Sequence, residues 1–514
     1  MGTGCPQRNR EEKTVNKSVR HISALVVICT AISLFAACGG GGNNKGDGTS
    51  GKNDATSGSG VTDSSAVDQY ADLPDTTYGG KSIRMTSMEY IENGMPTQFD
   101  CDADETEKLL AAQYIRNRMI EEKYKVEFEE ILLSGSFEQM SDKFNMAISS
   151  NTNEYELCQL IQRDAYRFAI QGYVIPSSEL KYVDIEKPWY FKKINDALAL
   201  KGEHFLAYSY ECTNMLYQTN CVMFNPRILS ENTLEDPYAL VKAGTWTTEQ
   251  FKKMARAAVR DLNNDGVYDP NDVLGSVGDY DNLYSGLIFG AGYKFVESGS
   301  DGVPEFTAPG NNALIDFLMN LYDYANEAGT AWDTTDPYTA DYTNREDRDF
   351  IGDVFQNGHA LFYLQSIGVM SKMADMKDSF GVVPLPKNSE QQKDYTSRNM
   401  DGWIRVVPQT NDSLDMTSVI LEALAIESYN STYKVYYDTI LRSRYSQDDD
   451  TREMLDLITR TIDLDLGDTI FQDDIRWNII PCYAYGGQNI FASRLAAINE
   501  SANAVIDAYI SAAG

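Results

Sequence analysis

From residue 81 onward, apolar positions recur with two alternating periods. Residues 82–88 alternate as a strand, and residues 104–123 carry Leu109, Leu110, Tyr114, Ile115 and Met119 at helical spacing. Residues 125–132 alternate again, with Val126 and Phe128 on one face. Residues 137–148 return to the helical period, and residues 155–161 read as another strand. Repeated strand–helix–strand units predict an α/β fold with a largely parallel sheet, whose ligands sit at the carboxyl ends of strands. The middle of the chain continues less cleanly. Residues 204–209 and 220–225 read as strands. Thr247 opens a helix with the capping box Thr247-x-x-Gln250, ahead of Phe251, Met254, Ala258 and Val259. Residues 312–324 and 491–510 are helical.

The first 80 residues follow another logic. A basic stretch with Arg8, Arg10, Lys13, Lys17 and Arg20 precedes the apolar run ALVVICTAISLFAA, residues 24–37. As a helix this run rises only about 21 Å, short of a bilayer core of about 30 Å. Such a pattern describes a secretory signal. Phe35-Ala36-Ala37-Cys38 resembles the bacterial lipobox, with Phe35 where Leu is usual. The expectation is a signal peptide over 1–37, lipidation of Cys38, and a Gly/Ser/Asn/Asp tether over 38–79. About 40 such residues reach roughly 35 Å. Within it, Gly46 to Lys52 imitates a phosphate loop, but Asn53 follows and no strand–loop–helix frame surrounds it.

Composition narrows the classes. A net charge of −32 argues against nucleic acid, which needs clustered Lys and Arg. Only His204 and His359 lie beyond the signal, so a His-rich metal site is excluded. Beyond Cys38 stand Cys101, Cys158, Cys212, Cys221 and Cys482, an odd number with no CxxC, which is neither a disulfide scaffold nor a zinc ribbon. Cys212 and Cys221 could pair across a hairpin or stand as buried thiols. No Ser nucleophile elbow, HExxH or dinucleotide glycine pattern occurs.

Five segments, in order, resemble the family 1 extracellular solute-binding proteins, the maltodextrin-binding-like receptors of ABC importers. They are Val222-Met223-Phe224-Asn225-Pro226, Gly244-Thr245-Trp246 through Phe251, Phe355 through Leu361, Gly381 through Lys387, and Asn399-Met400-Asp401-Gly402-Trp403. The last departs from the family in Asp401, where Gly is usual, and in Arg405-Val406-Val407. The resemblance implies a two-lobed periplasmic-binding-protein-like α/β fold with hinge crossings, closing on a sugar. It implies an N-terminal lobe of 80–210 and about 404–440, and a C-terminal lobe of about 211–403 and 441–514. The protein would be no enzyme but a monomeric lipoprotein on the outer face of the cytoplasmic membrane of a Gram-positive-type bacterium. It would hand its carbohydrate ligand to ABC permease subunits. Two other readings stay open: a surface polysaccharide hydrolase, since 76 acidic residues always offer carboxylate pairs, and a glycan sensor or adhesin without transport.

Sugars offer apolar C–H faces to aromatic rings and hydroxyls to carboxylates and amides. Candidate ligands are Asp164 and Tyr166 after the strand ending at Ile161, and Tyr210 and Glu211 near the first hinge. Tyr280, Asp281 and Tyr284 follow in a second-lobe aromatic segment, and Gln365 and Ser366 end the strand over 360–364. Asp401 and Trp403 stand at a hinge return, with Trp403 the first choice as stacking platform.

Residues 261–272 read DLNNDGVYDPND, with the spacing of an EF-hand-type loop. Asp261, Asn263 and Asp265 would bind calcium by side chain and Val267 by its carbonyl. Asp269 would act directly or through water, Asp272 would close the loop, and Gly266 would make the turn. The alternative is a hydrophilic turn. No second loop is visible, so the expectation is a structural ion, not a switch.

Overall fold

The computed structural model describes residues 68–88, 91–92, 95–96, 99–101, 107–133, 137–333, 345–400, 402–441, 449–485 and 490–513. Cys38, Asp401, the signal and most of the tether lie outside them.

The first sheet begins with three parallel strands, β1 (Lys81–Met88), β2 (Val126–Leu133) and β3 (Leu157–Ile161), in the order β3–β1–β2. β1 and β2 pair along their whole length, from Lys81↔Val126 to Met88↔Leu133. The crossover helices are α1 (Lys108–Tyr124) and α2 (Phe137–Ser149); α3 (Gln162–Ile170) follows β3 directly. Glu107 caps α1 by accepting from the Leu110 N–H at 2.8 Å. Lys125, in the left-handed region at φ 51°, ends it. The expected helix is present, but its inner face differs. Ile115 and Met119 are 37% and 45% exposed. Arg116 and Asn117 point inward instead, because they bond each other and the far hinge. Arg116 donates to Asn117 Oδ1 at 2.8 and 3.0 Å and to Ser428 Oγ at 3.1 Å.

The second sheet is mixed: β4 (Asn220–Phe224), β5 (Leu274–Gly278), β6 (Ala331–Asp333), β7 (Ala360–Ser366) and β8 (Gly381–Val383), in the order β6–β5–β7–β4–β8. β4 alone runs against its neighbours. β4, β5 and β7 are buried throughout, which is why their sequences run apolar without alternation. The helices α4 (Thr248–Ala258), α5 (Tyr280–Gly290) and α6 (Asn312–Ala325) belong to this half. Thr247 Oγ1 caps the helix by accepting from Gln250 N at 3.3 Å, while the Gln250 side chain donates to Glu235 at 3.0 Å rather than completing the capping box.

The chain then returns through β9 (Ser397–Arg398) to β10 (Trp403–Val406), which joins the first sheet antiparallel to β3, Trp403 opposite Ile161. Next comes α7 (Leu414–Glu427), whose Met416, Val419, Ile420, Ala423 and Leu424 pack with Ile83 and Met85 of β1. A π-helical turn, Ser428–Thr432, leads to α8 (Tyr433–Leu441) and α9 (Asp449–Arg460). Leu455 and Ile458 of α9 pack with the second sheet. The strand β11 (Ile462–Asp463) pairs with β9, and α10 (Phe491–Ala512) ends the described fold.

The chain therefore passes between the sheets three times: at 209–219, at 397–402, and from the π-turn onward. The first two crossings lie side by side. Thr219 bridges Asn399, and Asn399 Nδ2 donates to the Met215 carbonyl at 2.6 Å. A Cβ on Gly402 would stand 2.4 Å from Met215 Sδ, so the close approach favours glycine there.

Residues 204–209 do not form the expected strand. Their polar backbone is satisfied piecemeal: Tyr208 N donates to Asn195 Oδ1 at 2.7 Å, Phe191 N to the Tyr208 carbonyl at 2.9 Å, and only Ser209 bridges Tyr190. Cys212 and Cys221 are buried free thiols.

Inside the first lobe, Glu422 of α7 accepts from Trp189 Nε1 at 2.8 Å and from Tyr190 OH at 2.5 Å. Burial pushes its carboxyl up to about 7, outweighing both donors. A raised carboxyl stabilises the fold below its unfolded value of about 4.3, and that contribution is lost as pH rises through about 7. Melting of the wild type against Glu422→Gln should therefore diverge with pH. The wild type should lose up to roughly 3 kcal/mol between about pH 4.5 and 8 relative to the variant. Parallel melting curves across that range would contradict this.

Candidate functional site

β4 runs opposite to β5 and β7, so Asn220 at its start meets Ser366 at the end of β7. Asn220, Asp279, Asp333 and Gln365 thus share one edge of the second sheet. On the first sheet, Met88, Leu133 and Ile161 end their strands together, with Trp403 beside Ile161. The second crossing joins the two edges. Arg398 contacts Asn220, and five residues later Trp403 pairs with Ile161. Five extended residues span at most about 17 Å, so a short backbone link joins the two edges.

The second-sheet edge is a directed hydrogen-bond chain. Arg398 Nε and Nη2 donate to Asp468 at 2.6 and 3.1 Å, and its Nη1 donates to Asn220 Oδ1 at 2.8 Å. Guanidinium has no acceptor, so the Asn220 carbonyl oxygen must face it. Asn220 Nδ2 then donates to Asn282 Oδ1 at 3.0 Å, Asn282 Nδ2 to Gln365 Oε1 at 2.7 Å, and Gln365 Nε2 to Asp279 Oδ2 at 2.8 Å. Donor-only Arg398 and a carboxylate fix both ends, so no amide can flip. Burial alone would raise the Asp468 carboxyl, but Arg398 and Arg476 hold it below the usual range.

Each edge also carries a buried polar group with nothing to bind. Both side-chain polar atoms of Gln162 and Oδ1 of Asp281 are buried without a hydrogen bond. Both residues sit in the first turn of a helix that follows a strand's carboxyl end. Native interiors leave few such groups, and those that remain point to water, ions or ligands.

The sequence candidates fall into three groups. Asp281, Gln365 and Ser366 lie on the second edge. Asp164 lies near the first, in the opening turn of α3, with its carboxylate taken by Ser141 Oγ and by Arg167 at 3.0 Å. The others are packed. Tyr166 is fully buried and stacks on Tyr509 at 6.0 Å, so α3 grips α10 through it. Tyr284 stacks on Tyr483 at 4.3 Å and donates to Asp333 at 2.6 Å; burial and Asp333 hold its phenol well above the ordinary value. Tyr280 is buried near Trp477, ring centroids 6.0 Å apart. Trp403, 5% exposed, packs with Met88, Met140 and Ile161 rather than offering a face. Tyr210 is enclosed by Phe191, Tyr429 and Tyr433. Glu211 is paired with Arg405 at 2.8 Å. Asn220, Asp279, Asn282, Asp333, Arg398, Asp468 and Gln162 were not among the expected ligands. Asn220, Asp279, Asp333 and Gln162 carry a signal, a polar residue at or beside the end of a buried strand; Asn282, Arg398 and Asp468 carry none that is local.

Residues 261–272 connect α4 to β5, closed by the bridge Arg260↔Val273. Asp261 accepts from the Asn264 and Gly266 amides at 2.7 and 2.8 Å, Asp265 from Val267 at 2.8 Å, and Asp272 from Leu262 and Asp269 at 2.9 and 3.0 Å. Gly266 takes φ 80°, as the turn demands. Among the described residues no three His, Cys, Asp or Glu stand together in metal-holding geometry.

No family model matches this sequence, and no curated protein matches it. Solved structures do match in fold. The ABC substrate-binding protein Lmo0181 from Listeria monocytogenes, in complex with cycloalternan, superposes with a TM-score of 0.54 at 13% identity, over 83% of this chain and 99% of its own. The maltose-binding periplasmic protein MalE from Listeria monocytogenes, in complex with maltose, gives 0.54 at 13%, over 83% and 99%. UgpB from Mycobacterium tuberculosis, in complex with glycerophosphocholine, gives 0.52 at 13%, over 84% and 100%. The chain has the two-lobed fold of the ABC substrate-binding proteins.

Proposed function

We propose that this chain is a family 1 extracellular solute-binding protein. It captures a sugar, in our reading an oligosaccharide, between the two strand edges and delivers it to an ABC permease. Cys38 carries its lipid anchor. The observation that supports this most is the pair of buried, unpartnered polar groups, Gln162 and Asp281, one on each edge and joined by a crossing. A hydroxyl-rich ligand would satisfy both. The chain of fixed amides behind Asp281 gives the second edge a preset donor and acceptor pattern, which reduces the cost of ordering on binding. The sugars named with several structures of the same fold favour a carbohydrate over other polar ligands.

The loop over 261–272 holds a structural calcium ion in this proposal, supported by its twelve-place spacing and its left-handed glycine. Added calcium should raise the melting temperature and a chelator should lower it; identical melting in both would refute the site.

Sugar capture is tested by titrating the protein with a panel of maltodextrins and other oligosaccharides, following melting and heat. Binding without product release is expected. Gln162→Leu should weaken binding at least about tenfold while leaving ligand-free melting unchanged or higher, because it removes an unsatisfied buried amide. A variant that loses stability yet binds normally would make Gln162 structural. Released sugar products would overturn the transport reading.

A further inference from the structure

The described residues begin beside the hinge. Residues 69–73 lie across the start of the third crossing, beside the π-turn. Tyr70 OH donates to Glu427 Oε1 at 2.6 Å, one residue before the turn. Asn430 Nδ2, inside the turn, donates to Gln69 Oε1 at 2.6 Å. The segment thus bonds the π-turn at one point and the residue just before it at another. Its other polar contacts fasten it to the first lobe. Lys123 Nζ lies 4.2 Å from the Tyr70 ring centroid, Lys187 Nζ bonds Asp72 at 2.6 Å, and Tyr70 and Leu73 pack against that lobe's core. Tyr70 and Leu73 also pack against the cluster of Trp189, Tyr190, Ala425 and Ile426, as does Tyr210 of the first crossing.

The π-turn is built to deform. Ser431 Oγ donates to the Glu427 carbonyl at 2.6 Å and Thr432 Oγ1 to the Ser428 carbonyl at 3.2 Å, so side chains share the carbonyls that a regular helix would use. Such turns collect at functional sites, and hinges are short segments that absorb the backbone change of lobe movement. Beyond the turn, Tyr433 packs against Tyr210 at 4.5 Å, which couples the third crossing to the first.

We infer that residues 69–73 form a strap that couples the N-terminal chain to the hinge: docked, it holds the π-turn and with it the relative position of the lobes; released, it frees them. The inference stands whatever ligand the cleft takes. A pull on the chain before Asp68 acts first on Gln69, bonded to the turn, and Tyr70, bonded to the residue just before it.

The test uses the full chain without ligand, with Tyr70→Phe, Asn430→Ala and Lys187→Ala compared with wild type. Lys187→Ala loosens the strap from the first lobe but leaves the π-turn contacts. Hydrogen exchange of the peptide over 428–441 should rise about tenfold in Tyr70→Phe and Asn430→Ala, and little in Lys187→Ala. Spin labels at Met146→Cys and Met319→Cys, exposed positions on α2 and α6, should show a shifted or broader distance distribution in the same two variants. Should Tyr70→Phe fail to fold, Asn430→Ala carries the test. Wild-type exchange and distances in a folded Asn430→Ala would overturn the strap. So would equal effects from Lys187→Ala, which would make the segment ordinary surface packing.

Discussion

Glu211 and Arg405 meet at 2.8 Å with side chains only 11% and 5% exposed, and the two-lobed architecture turns on this pair. Glu211 lies on the first crossing and Arg405 on β10, the strand that brings the chain back to the first sheet. Arg405 also donates to the Thr86 carbonyl of β1 at 3.2 Å, so the crossing is tied to the middle of that sheet. Burial would raise the Glu211 carboxyl, but Arg405 and then Arg116 hold it below the usual range. Arg116 and Arg405 both lie against the Phe99 ring, at 4.8 and 4.6 Å, and Arg116 reaches Ser428 of the third crossing. One carboxylate between two guanidiniums thus gathers all three crossings. A buried pair broken on one side costs about 3–5 kcal/mol, so the crossings are anchored on the first lobe up to Ser428, and any compliance must lie in the rest of the π-turn and beyond.

The same crossings order the strand ends that the proposed function uses. The crossing over 397–402 holds Arg398 beneath the second edge and Gly402 beside the first, where its carbonyl accepts from Gln162 N at 2.8 Å. The amide chain from Arg398 to Asp279 is fully directed and therefore rigid. The few polar atoms it leaves unsatisfied are where a ligand gains most.

Much of the fold was legible in the sequence. The switch between periods located β1, α1, β2, α2 and β3, and the segments around Phe224, Trp246, Phe355 and Val383 fell in the second lobe. Residues 204–209 were misread because their spacing resembles a strand while their amides pair with side chains and single bridges. The buried face of α1 was misread because Arg116 and Asn117 take inward places for the sake of the hinge, a long-range partner that no local period reveals. The site was less legible. Aromatic residues near strand ends looked like platforms, yet Tyr166, Tyr284 and Trp403 fill the core, as most rings do. The polar chain was hidden because Asn220, Asn282 and Arg398 meet only after three distant segments fold together.

The proposed function requires lobes that close on a sugar. Small-angle scattering of the full chain, with and without a saturating oligosaccharide from the binding panel, tests this most directly. A smaller radius of gyration in the bound state, without sugar cleavage, is predicted. Saturated binding with an unchanged radius, or cleavage of the sugar, would contradict it.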